Sequence, residues 1–534
     1  MKPSFRQSTA LVHTWGGLLV GWVLFFIFLT GTFGYVNHEI DRWMTPERMS
    51  VPTPLAASDL ARSAEDWLAR QAEDAQSWFV FLPAGPRGGG FAVGWRAWPE
   101  GTRRFGKYRQ QALDPSTGDA LTVSVRDTGG GQTLYRMHYR LHYMPYDLAV
   151  LIVGACSMFM LVAIISGVII HRKIFKDFFT FRPGRGQRSW LDGHNLLSVS
   201  ALPFHLMIAW SGLIFYMFTY IPTAADVLYP KGEARDRFHA EVSGSVGMSP
   251  GAKAPAVTMA PLAAMLARAE QEWERGAVQT IRIESPGREG AQVLMHARQS
   301  GVGRGGRTLL FDAVTGEVLR AGPQGGTAAG RFERVMLGLH EGLFAGPLLR
   351  ALYVFAGLCG TAMIATGLLL WSAKRKARLA QHQGPHFGIA AIDILNLGTI
   401  IGLPIGIAAY FWANRLLPVG MEGRAEWEVH AMFMAWGLTY IVAIWRPLNR
   451  AWLELCCLAA AAYGFIPVLN ALTTDRHLFA SIPEGDWVMA GCDLSAFAAG
   501  LFFLFLARMT YRKQRRGSAN AAAMVKAVSN ARAV

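Results

Sequence analysis

The sequence is poor in charged residues and contains no cysteine motif. Charged side chains make up 17% of the 534 residues, against about 25% in an ordinary soluble domain. The five cysteines include no CxxC or CxxCH pattern, which disfavours a disulfide framework, a zinc cluster and covalent haem attachment. Acidic residues are outnumbered, and the net charge is +15. Because the basic residues cluster at the ends of apolar runs, they indicate membrane topology and no nucleic-acid partner.

Long apolar runs are abundant instead, and 52% of the residues are hydrophobic. Eight runs meet or approach the length of about 20 residues that a helix needs to cross the hydrocarbon layer. We therefore predict a polytopic α-helical membrane protein with about eight transmembrane helices, of which the sixth is the shortest. The predicted spans are Trp15–Val36, Leu148–Ile170, Leu196–Ile221, Ala345–Trp371, Ile389–Trp412, Ala431–Trp445, Trp452–Leu472 and Trp487–Arg508.

The orientation follows from the distribution of lysine and arginine. These residues are concentrated in the connections around 172–188 and 374–378 and in the C-terminal tail, whereas the alternate short connections hold few. The positive-inside rule therefore predicts that both termini are cytoplasmic. The first apolar run exceeds the signal-peptide core of about 7 to 15 residues, and no small-residue cleavage pattern follows it, so we predict an anchor.

Two long connections, 37–147 and 222–344, are predicted to lie outside the membrane. Each contains strand-like runs around a turn, Asp114–Asp119 and Asp312–Glu317, where aspartate and glycine suit a hairpin. Short helices at Ser58–Gln71 and Ala260–Glu274 precede these turns, so we predict two small α+β domains. The segments are span one (1–36), the first outer domain (37–147), spans two and three with a basic loop (148–221), the second outer domain (222–344), span four (345–372), an accessory four-helix membrane bundle (373–508) and a basic cytoplasmic tail (509–534).

Residues 1–372 contain an internal repeat. Each unit has an inner histidine, a span, an outer domain, an outer histidine and a second span, and each span carries a serine or threonine followed by glycine. Four matches in the same order exceed what small residues in membrane helices supply by chance. The matched elements are His13 with Thr30-Gly31, His194 with Ser211-Gly212, Leu141-His142 with Ser166-Gly167, and Leu339-His340 with Thr366-Gly367.

The histidines are the most informative residues of the chain. His194 and His205 are eleven residues apart, which on a straight helix places them on nearly the same face, about 16 Å apart along the axis. Such spacing is expected where a bundle stacks two haems, each with an iron held by histidines of facing helices. The alternative is that these side chains only line the membrane interface. The candidates are His13, His171 and His194 at the cytoplasmic ends, His142 and His340 at the outer ends, and His205 within span three.

Several other residues have weaker signals. Of His138 and His142, which are four residues apart, we expect only one to reach a haem. His430 is a further possible site, and Asp493 and Glu454 could relay protons. Pro203 and Pro404 are expected to kink their helices. The segment Gly301–Gly306 spells a nucleotide-binding pattern but lacks a helix after it, so we predict a hairpin loop.

On these residues the chain resembles the PepSY-associated transmembrane helix family, the iron-regulated inner-membrane proteins that include haem-containing ferric-siderophore reductases. The resemblance covers about residues 8–372, and the outer turns resemble those of PepSY modules. The matching motifs are His13–Leu18 with Thr30-Gly31, Tyr139–His142, Ser166–Lys173, Asp192–Leu197 and Leu202–Met207.

The resemblance implies a protein of the bacterial inner membrane with two b-type haems. It also implies the transfer of electrons outward to ferric iron in a periplasmic siderophore, whose oxygen donors hold Fe(III) better than Fe(II). We expect the inner haem to use His13 or His171 with His194, and the outer haem to use His205 or His142 with His340. The expected site residues are therefore these six histidines.

The cytoplasmic connections are too short for a flavin or nicotinamide domain, so the donor is expected to be a separate cytoplasmic reductase, a small carrier or a membrane quinol. Two other classes of function fit the same sequence. The first is a regulator whose outer domains bind an envelope protein and whose histidines only line the interface. The second is an iron or siderophore transporter that uses Asp493 and His430. Reducible haem absorption in the purified protein distinguishes the reductase from both.

Overall fold

Long helices and one antiparallel sheet make up the computed structural model of the protein. It describes residues 4–47, 55–83, 90–99, 106–121, 125–171, 178, 182, 186–220, 254–298, 301–322, 328–379 and 386–532. The chain divides into two compact units. The first, the bundle unit, comprises Met1–Pro46, Val125–Ala209 and Ala351–Val534, and the second, the sheet unit, comprises Glu47–Ser124 and Trp210–Arg350.

Helices carry most of the described chain. The first half has α1 (Phe5–Gly34), α2 (Asn37–Met44), α3 (Ala57–Gln71), α4 (Gly130–Arg140), α5 (Tyr146–Ile170), α6 (Gln187–Ser200), α7 (Leu202–Ile214), α8 (Met217–Tyr220) and α9 (Leu262–Glu272). The second half has α10 (Ala328–Glu341), α11 (Pro347–Leu379), α12 (Phe387–Leu397), α13 (Leu403–Leu416), α14 (Arg424–Trp445), α15 (Leu448–Gly464), α16 (Ile466–Thr473), α17 (Leu478–Ser481) and α18 (Trp487–Arg532). A π-helical turn, Gly398–Gly402, joins α12 to α13.

Seven of the described helices are long and apolar enough to cross a membrane, and a bent pair brings the number to eight. These candidate spans agree with the eight apolar runs of the sequence, so the chain is a polytopic helical membrane protein. The bent pair is α6 with α7, and the seven spans are Phe5–Gly34, Tyr146–Ile170, Pro347–Leu379, Phe387–Leu416, Arg424–Trp445, Leu448–Thr473 and Trp487–Arg516.

The two prolines act differently on their helices. α6 and α7 meet at an angle of 69°, next to Pro203, which lacks the amide hydrogen of an unbroken helix and clashes with the preceding turn. The predicted kink at Pro203 is thus confirmed, and because of it His194 and His205 do not share one face of a straight helix. Pro404 follows the π-helical turn, and its span continues as one helix of 30 residues.

The sheet unit contains a seven-stranded antiparallel sheet. Its strands are β1 (Ser77–Phe81), β2 (Ala92–Arg96), β3 (Tyr108–Ala112), β4 (Val278–Glu284), β5 (Gln292–Ala297), β6 (Thr308–Asp312) and β7 (Val318–Gly322). The order is β3-β2-β1-β4-β5-β6-β7. At the centre β1 pairs with β4, and Trp78 lies opposite Ile283. The two outer segments thus share one sheet, whereas the sequence suggested two separate domains.

One face of this sheet is covered by α3 and α9. Buried side chains alternate along β5, as expected for a sheet with one packed face. The core includes Leu68 of α3, Leu266 of α9, Ile281 of β4 and Phe311 of β6. Both helices lie within a few residues of their predicted bounds.

Both predicted aspartate turns are confirmed. In the first turn Asp114 Oδ1 accepts hydrogen bonds from the backbone N–H and the hydroxyl of Ser116, at 2.7 and 2.6 Å. These bonds hold the pKa of the Asp114 carboxyl below its ordinary value. In the second turn the N–H groups of Val314 and Thr315 donate to Asp312 Oδ1. The Gly301–Gly306 segment lies between β5 and β6, which are paired antiparallel, in agreement with the predicted hairpin loop.

Candidate functional site

His13 of α1 and His194 of α6 face each other within the bundle unit. Their ring centroids are 6.4 Å apart, and the ring planes are inclined at 77°. Nδ1 of His13 is 3.0 Å from the carbonyl oxygen of Ala163, and Nδ1 of His194 is 2.9 Å from that of Met363. Because a carbonyl oxygen can only accept, the proton of each ring lies on Nδ1 and the lone pair on Nε2. We call these two residues the paired histidines.

Each of the paired histidines packs against a glycine. This glycine follows, by one helical turn, the residue whose carbonyl oxygen accepts the hydrogen bond from Nδ1. A Cβ atom on Gly167 would lie 3.4 Å from Cε1 of His13, and one on Gly367 would lie 3.2 Å from Cε1 of His194. Ser166, which precedes Gly167, adds a contact of 3.1 Å to Nδ1 of His13. The serine- or threonine-glycine pairs found in the sequence are thus the surfaces against which histidine rings pack.

The same contact recurs at His138 of α4. Its Nδ1 donates to the carbonyl oxygen of Ile27 at 2.8 Å, and Gly31 again follows four residues later. A Cβ atom on Gly31 would lie only 2.5 Å from Nδ1 of His138. Burial lowers the pKa of His138, and this outweighs the opposite effect of its hydrogen bond to Ile27. The sequence left open whether His138 or His142 is the outer histidine, and this packing favours His138.

The fourth member of the set is His340 of α10, in the sheet unit. A Cβ atom on Gly212 would lie 2.9 Å from Cε1 of His340. Ser211 Oγ is 3.1 Å from Nδ1, as Ser166 Oγ is from His13, and Phe215 packs against the ring at 5.2 Å. Each of the four serine- or threonine-glycine pairs of the repeat therefore contacts a histidine. We call His13, His138, His194 and His340 the repeat histidines.

Two further predicted histidines use their ring nitrogens differently. His205 is buried, and its Nε2 donates to the carbonyl oxygen of Ala356 at 3.0 Å. Its Nδ1 has no hydrogen-bond partner among the described residues. Nε2 of His171 lies 2.8 Å from Nδ2 of Asn195, which donates to it. The lone pair of a neutral His205 ring is therefore on Nδ1, and the Nε2 lone pair of His171 accepts from Asn195, whereas His13, His138 and His194 each donate from Nδ1 to a carbonyl oxygen.

His142 lies in an aromatic cluster at the start of α5. Its ring stacks on Phe433 at 5.7 Å and contacts Tyr143 edge to face at 4.3 Å. The hydroxyl of Tyr143 makes a short hydrogen bond with Nδ1 of His430. Partial burial, followed by the nearby His430, lowers the pKa of His142. The structure therefore places His142 and His430 together, in an exposed group apart from the paired histidines.

The two predicted proton-relay residues have structural partners. Asp493 is fully buried, and it accepts hydrogen bonds from Nε1 of Trp43 at 2.8 Å and Nδ2 of Asn470 at 3.0 Å. Glu454 pairs with Arg446 on an exposed part of the surface. Within the accessory spans, Asp493 therefore belongs to a hydrogen-bonded group and Glu454 to an ion pair.

The sequence analysis missed a buried ion pair at the start of α14. Arg424 and Glu428 are both fully buried and form a salt bridge. Glu428 also accepts hydrogen bonds from Thr128 Oγ1 at 2.6 Å and from Asn414 Nδ2 at 2.8 Å. Span six therefore begins at Arg424 and not at Ala431. The available signal was the four-residue spacing of opposite charges, which places them on one helical face.

The paired histidines fit a metal held by two nitrogen ligands. A metal–imidazole bond is about 2 Å long, and each ring centre lies about 1 Å further, so two rings on one metal have centres about 6 Å apart, close to the observed 6.4 Å. In the part of the chain that the structure describes, no three histidine, cysteine, aspartate or glutamate side chains could together hold a metal ion. Two axial imidazoles suit haem, because the macrocycle supplies the remaining ligands.

Comparison with known proteins identifies the family. The model of the PepSY-associated TM region family matches residues 10–374, which is more than half of the chain and includes all four repeat histidines. No curated protein matches the chain. The matched range ends before the accessory spans α12 to α18, so the family describes the repeat and not these helices. The chain belongs to the PepSY-associated TM region family.

Proposed function

We propose that the protein is a haem-containing oxidoreductase of the bacterial inner membrane that passes electrons across the bilayer to reduce ferric siderophore in the periplasm. The observation that carries the proposal is the geometry of the paired histidines. Two imidazoles, each anchored through Nδ1 to a backbone carbonyl, have ring centroids 6.4 Å apart within the bundle unit.

Haem chemistry suits this environment. When bound, a b-type haem supplies a one-electron carrier whose iron alternates between the ferric and ferrous states. The paired histidines would hold it through Nε2. The carbonyl oxygens of Ala163 and Met363 orient the rings and keep a proton on Nδ1, as the hydrogen-bond acceptors beside metal-bound histidines do.

The same packing recurs at two further histidines of the repeat, one in each unit. His138 and His340 pack against Gly31 and Gly212 as the paired histidines pack against their glycines. The proton on Nδ1 of His138 leaves the lone pair on Nε2. We therefore assign the four repeat histidines as the candidate iron ligands. His142, His171 and His205 remain predictions from the sequence that receive no such support.

The electron acceptor is inferred from the family resemblance and from coordination chemistry. Siderophores bind Fe(III) through hard oxygen donors, which hold the softer Fe(II) less tightly. One electron per iron therefore loosens the complex, and no acid, base or nucleophile of the protein is required. The positive-inside distribution supports cytoplasmic termini, which would direct electrons from the cytoplasmic to the periplasmic side.

The experiment is a haem assay on the full-length protein and its histidine variants. We expect purified protein from porphyrin-supplemented cells to show b-type absorption bands after reduction by dithionite. His13→Ala and His194→Ala should each lose one haem per chain, because each removes a histidine that would hold the iron. His386→Ala is the matched control, since His386 is exposed at the start of α12 and has no part in the repeat.

Ferric siderophore is then added to the dithionite-reduced protein. Reoxidation of the haem, with the appearance of Fe(II) trapped by a ferrous chelator, is the expected result. A colourless protein, or haem content equal in His194→Ala and His386→Ala, would refute the assignment. A regulator or a transporter would give the colourless result.

A further inference from the structure

A second polar group lies in the bundle unit, where α1, α11 and α12 meet. Asn396 of α12 is 1% exposed. Its Oδ1 accepts a hydrogen bond from Nε1 of Trp22 at 2.9 Å. Its Nδ2 is buried and has no hydrogen-bond partner among the residues that the structure describes. Because a buried donor without an acceptor is costly in a lipid-embedded helix, this amide is suited to bind a ligand that offers an acceptor oxygen.

A buried carboxylate lies one turn before this amide. Asp393 accepts a hydrogen bond from Ser372 Oγ at 2.5 Å and pairs with Nζ of Lys376 at 2.5 Å. The side chain of Asp393 is 11% exposed, whereas that of Lys376 is 50% exposed. The lysine therefore contacts the buried carboxylate and is itself open to water. Asp393 and Asn396 are three residues apart, so they lie on the same side of α12.

The helices that carry this polar group also pack around the paired histidines. Gly21 precedes Trp22, and a Cβ atom there would lie 2.7 Å from Cδ2 of Leu368. Leu368 follows Gly367, against which the ring of His194 packs. The contact between Gly21 and Leu368 thus links the helix of Trp22 to the helix against which the proposed haem ligand His194 packs.

The helix that carries Asn396 is held rigidly. The π-helical turn Gly398–Gly402 follows it directly, and such turns are frequent at functional sites. Nε1 of Trp436 in α14 donates to the carbonyl oxygen of Gly398 at 2.8 Å. A Cβ atom on Gly398 or Gly402 would lie 2.2 or 2.1 Å from α14 side chains. The close approach of α12 and α14 therefore fixes the position of the amide.

We propose that Asn396 and Asp393 form a binding site for a membrane quinol, the electron donor of the protein. The inference rests on the proposed function. A quinol combines an apolar ring that reaches the site through the bilayer with oxygens that accept a hydrogen bond from Asn396 Nδ2. Its hydroxyl group can donate to the Asp393 carboxylate, which then accepts the proton.

The reaction balances as a two-electron, two-proton oxidation. Both O–H bonds of the quinol break, and the quinol becomes a quinone. Its two electrons would leave one at a time to the haem that the paired histidines would hold. One proton passes to Asp393 and leaves to water beside Lys376, and the second is released to water on the same side. Each electron then passes on to one ferric siderophore.

Binding is tested with ubiquinone-1 and full-length protein in detergent. Isothermal titration gives the dissociation constant without any redox step. We expect Asn396→Leu, which keeps the side-chain size but removes the amide, to weaken binding at least tenfold. Leu395→Ala is the control, because Leu395 is the preceding residue and is more exposed. An unchanged dissociation constant for Asn396→Leu would overturn the site.

A second variant covers the case in which Asn396→Leu does not fold. Trp22→Phe removes the hydrogen bond that orients the Asn396 amide, and we expect it to weaken ubiquinone-1 binding severalfold. Wild-type affinity in folded Trp22→Phe would contradict the proposed orientation. The proton-accepting role is tested separately with Asp393→Asn. It should bind ubiquinone-1 within threefold of wild type but should slow haem reduction by ubiquinol-1 by about 100-fold, as expected for loss of a general base.

The two proposals fail in different ways. If the protein contains reducible haem but does not bind ubiquinone-1, the proposed function stands and the quinol site is wrong. If the protein is colourless, the proposed function fails, whatever the binding result. Haem-free His194→Ala should still bind ubiquinone-1, because neither Asn396 nor Asp393 contacts the iron ligand directly. Reduction of Asp393→Asn by ubiquinol-1 at the wild-type rate would refute the role of the carboxylate.

Discussion

The contact between Gly31 and His138 gives the sharpest test of the repeat histidines. In Gly31→Ala the new Cβ atom would lie 2.5 Å from Nδ1 and 2.8 Å from Cε1 of His138. Ordinary contacts between such atoms are about 3.5 Å or longer, so the ring must retreat by about 1 Å. The hydrogen bond from Nδ1 to the carbonyl oxygen of Ile27, now 2.8 Å, would then be broken.

The expected loss of haem affinity is the sum of two free-energy contributions. Overpacking of a tight interior site costs about 1–3 kcal/mol, and loss of one hydrogen bond costs about 1 kcal/mol. Together they weaken the histidine site by about 2–4 kcal/mol. Since about 1.4 kcal/mol corresponds to a tenfold change, haem affinity at this site should fall by about 30-fold to 700-fold.

The assay is haem content per polypeptide, measured as the pyridine haemochrome of purified protein. Gly31→Ala should contain about one haem fewer than wild type. Gly17→Ala, on the same helix, is the matched control, because no atom lies within 4 Å of its new Cβ. Thermal unfolding in detergent checks that both variants are folded. Full haem content and an unchanged spectrum in folded Gly31→Ala would exclude His138 as a ligand.

Three further predictions test the other assignments. His194→Ala should lose haem, whereas His205→Ala should retain it. Equal loss of haem in both variants would instead identify the buried His205 as an iron ligand. Gly212→Ala should lower haem content less than Gly31→Ala, because its new Cβ approaches a ring carbon at 2.9 Å and not a hydrogen-bonded nitrogen at 2.5 Å. Glu428→Gln should destabilise the protein by about 3–5 kcal/mol, because a fully buried arginine loses its charged partner, and an unchanged thermal midpoint in detergent would contradict this.

Local patterns predicted a large part of the structure. The apolar runs predicted the membrane helices, since length and composition alone decide whether a helix can cross a bilayer. The turn at Asp114 was also predictable, because its hydrogen bonds join residues only two positions apart. The repeat located the serine- or threonine-glycine pairs, but not the histidine that packs against each of them.

Charged residues hid the start of span six in the sequence. Arg424 and Glu428 made the start of α14 look like a connection, because single charges are unfavourable in a membrane helix. They are tolerated there because each neutralises the other inside the protein. Similarly, the sequence did not indicate the position of the Asn396 amide, because its hydrogen bond comes from Trp22, which is distant in the chain.

By itself the sequence determined the number of apolar helices, the duplicated unit and the residue types available to hold a metal, because these depend on composition and spacing. Only the tertiary structure decided which carbonyl and which glycine each histidine meets. His13 bonds to Ala163 and His194 to Met363, and β1 pairs with β4 to join the two outer segments in one sheet. These contacts join residues 150 or more positions apart, and only the packing of whole helices and strands brings them together.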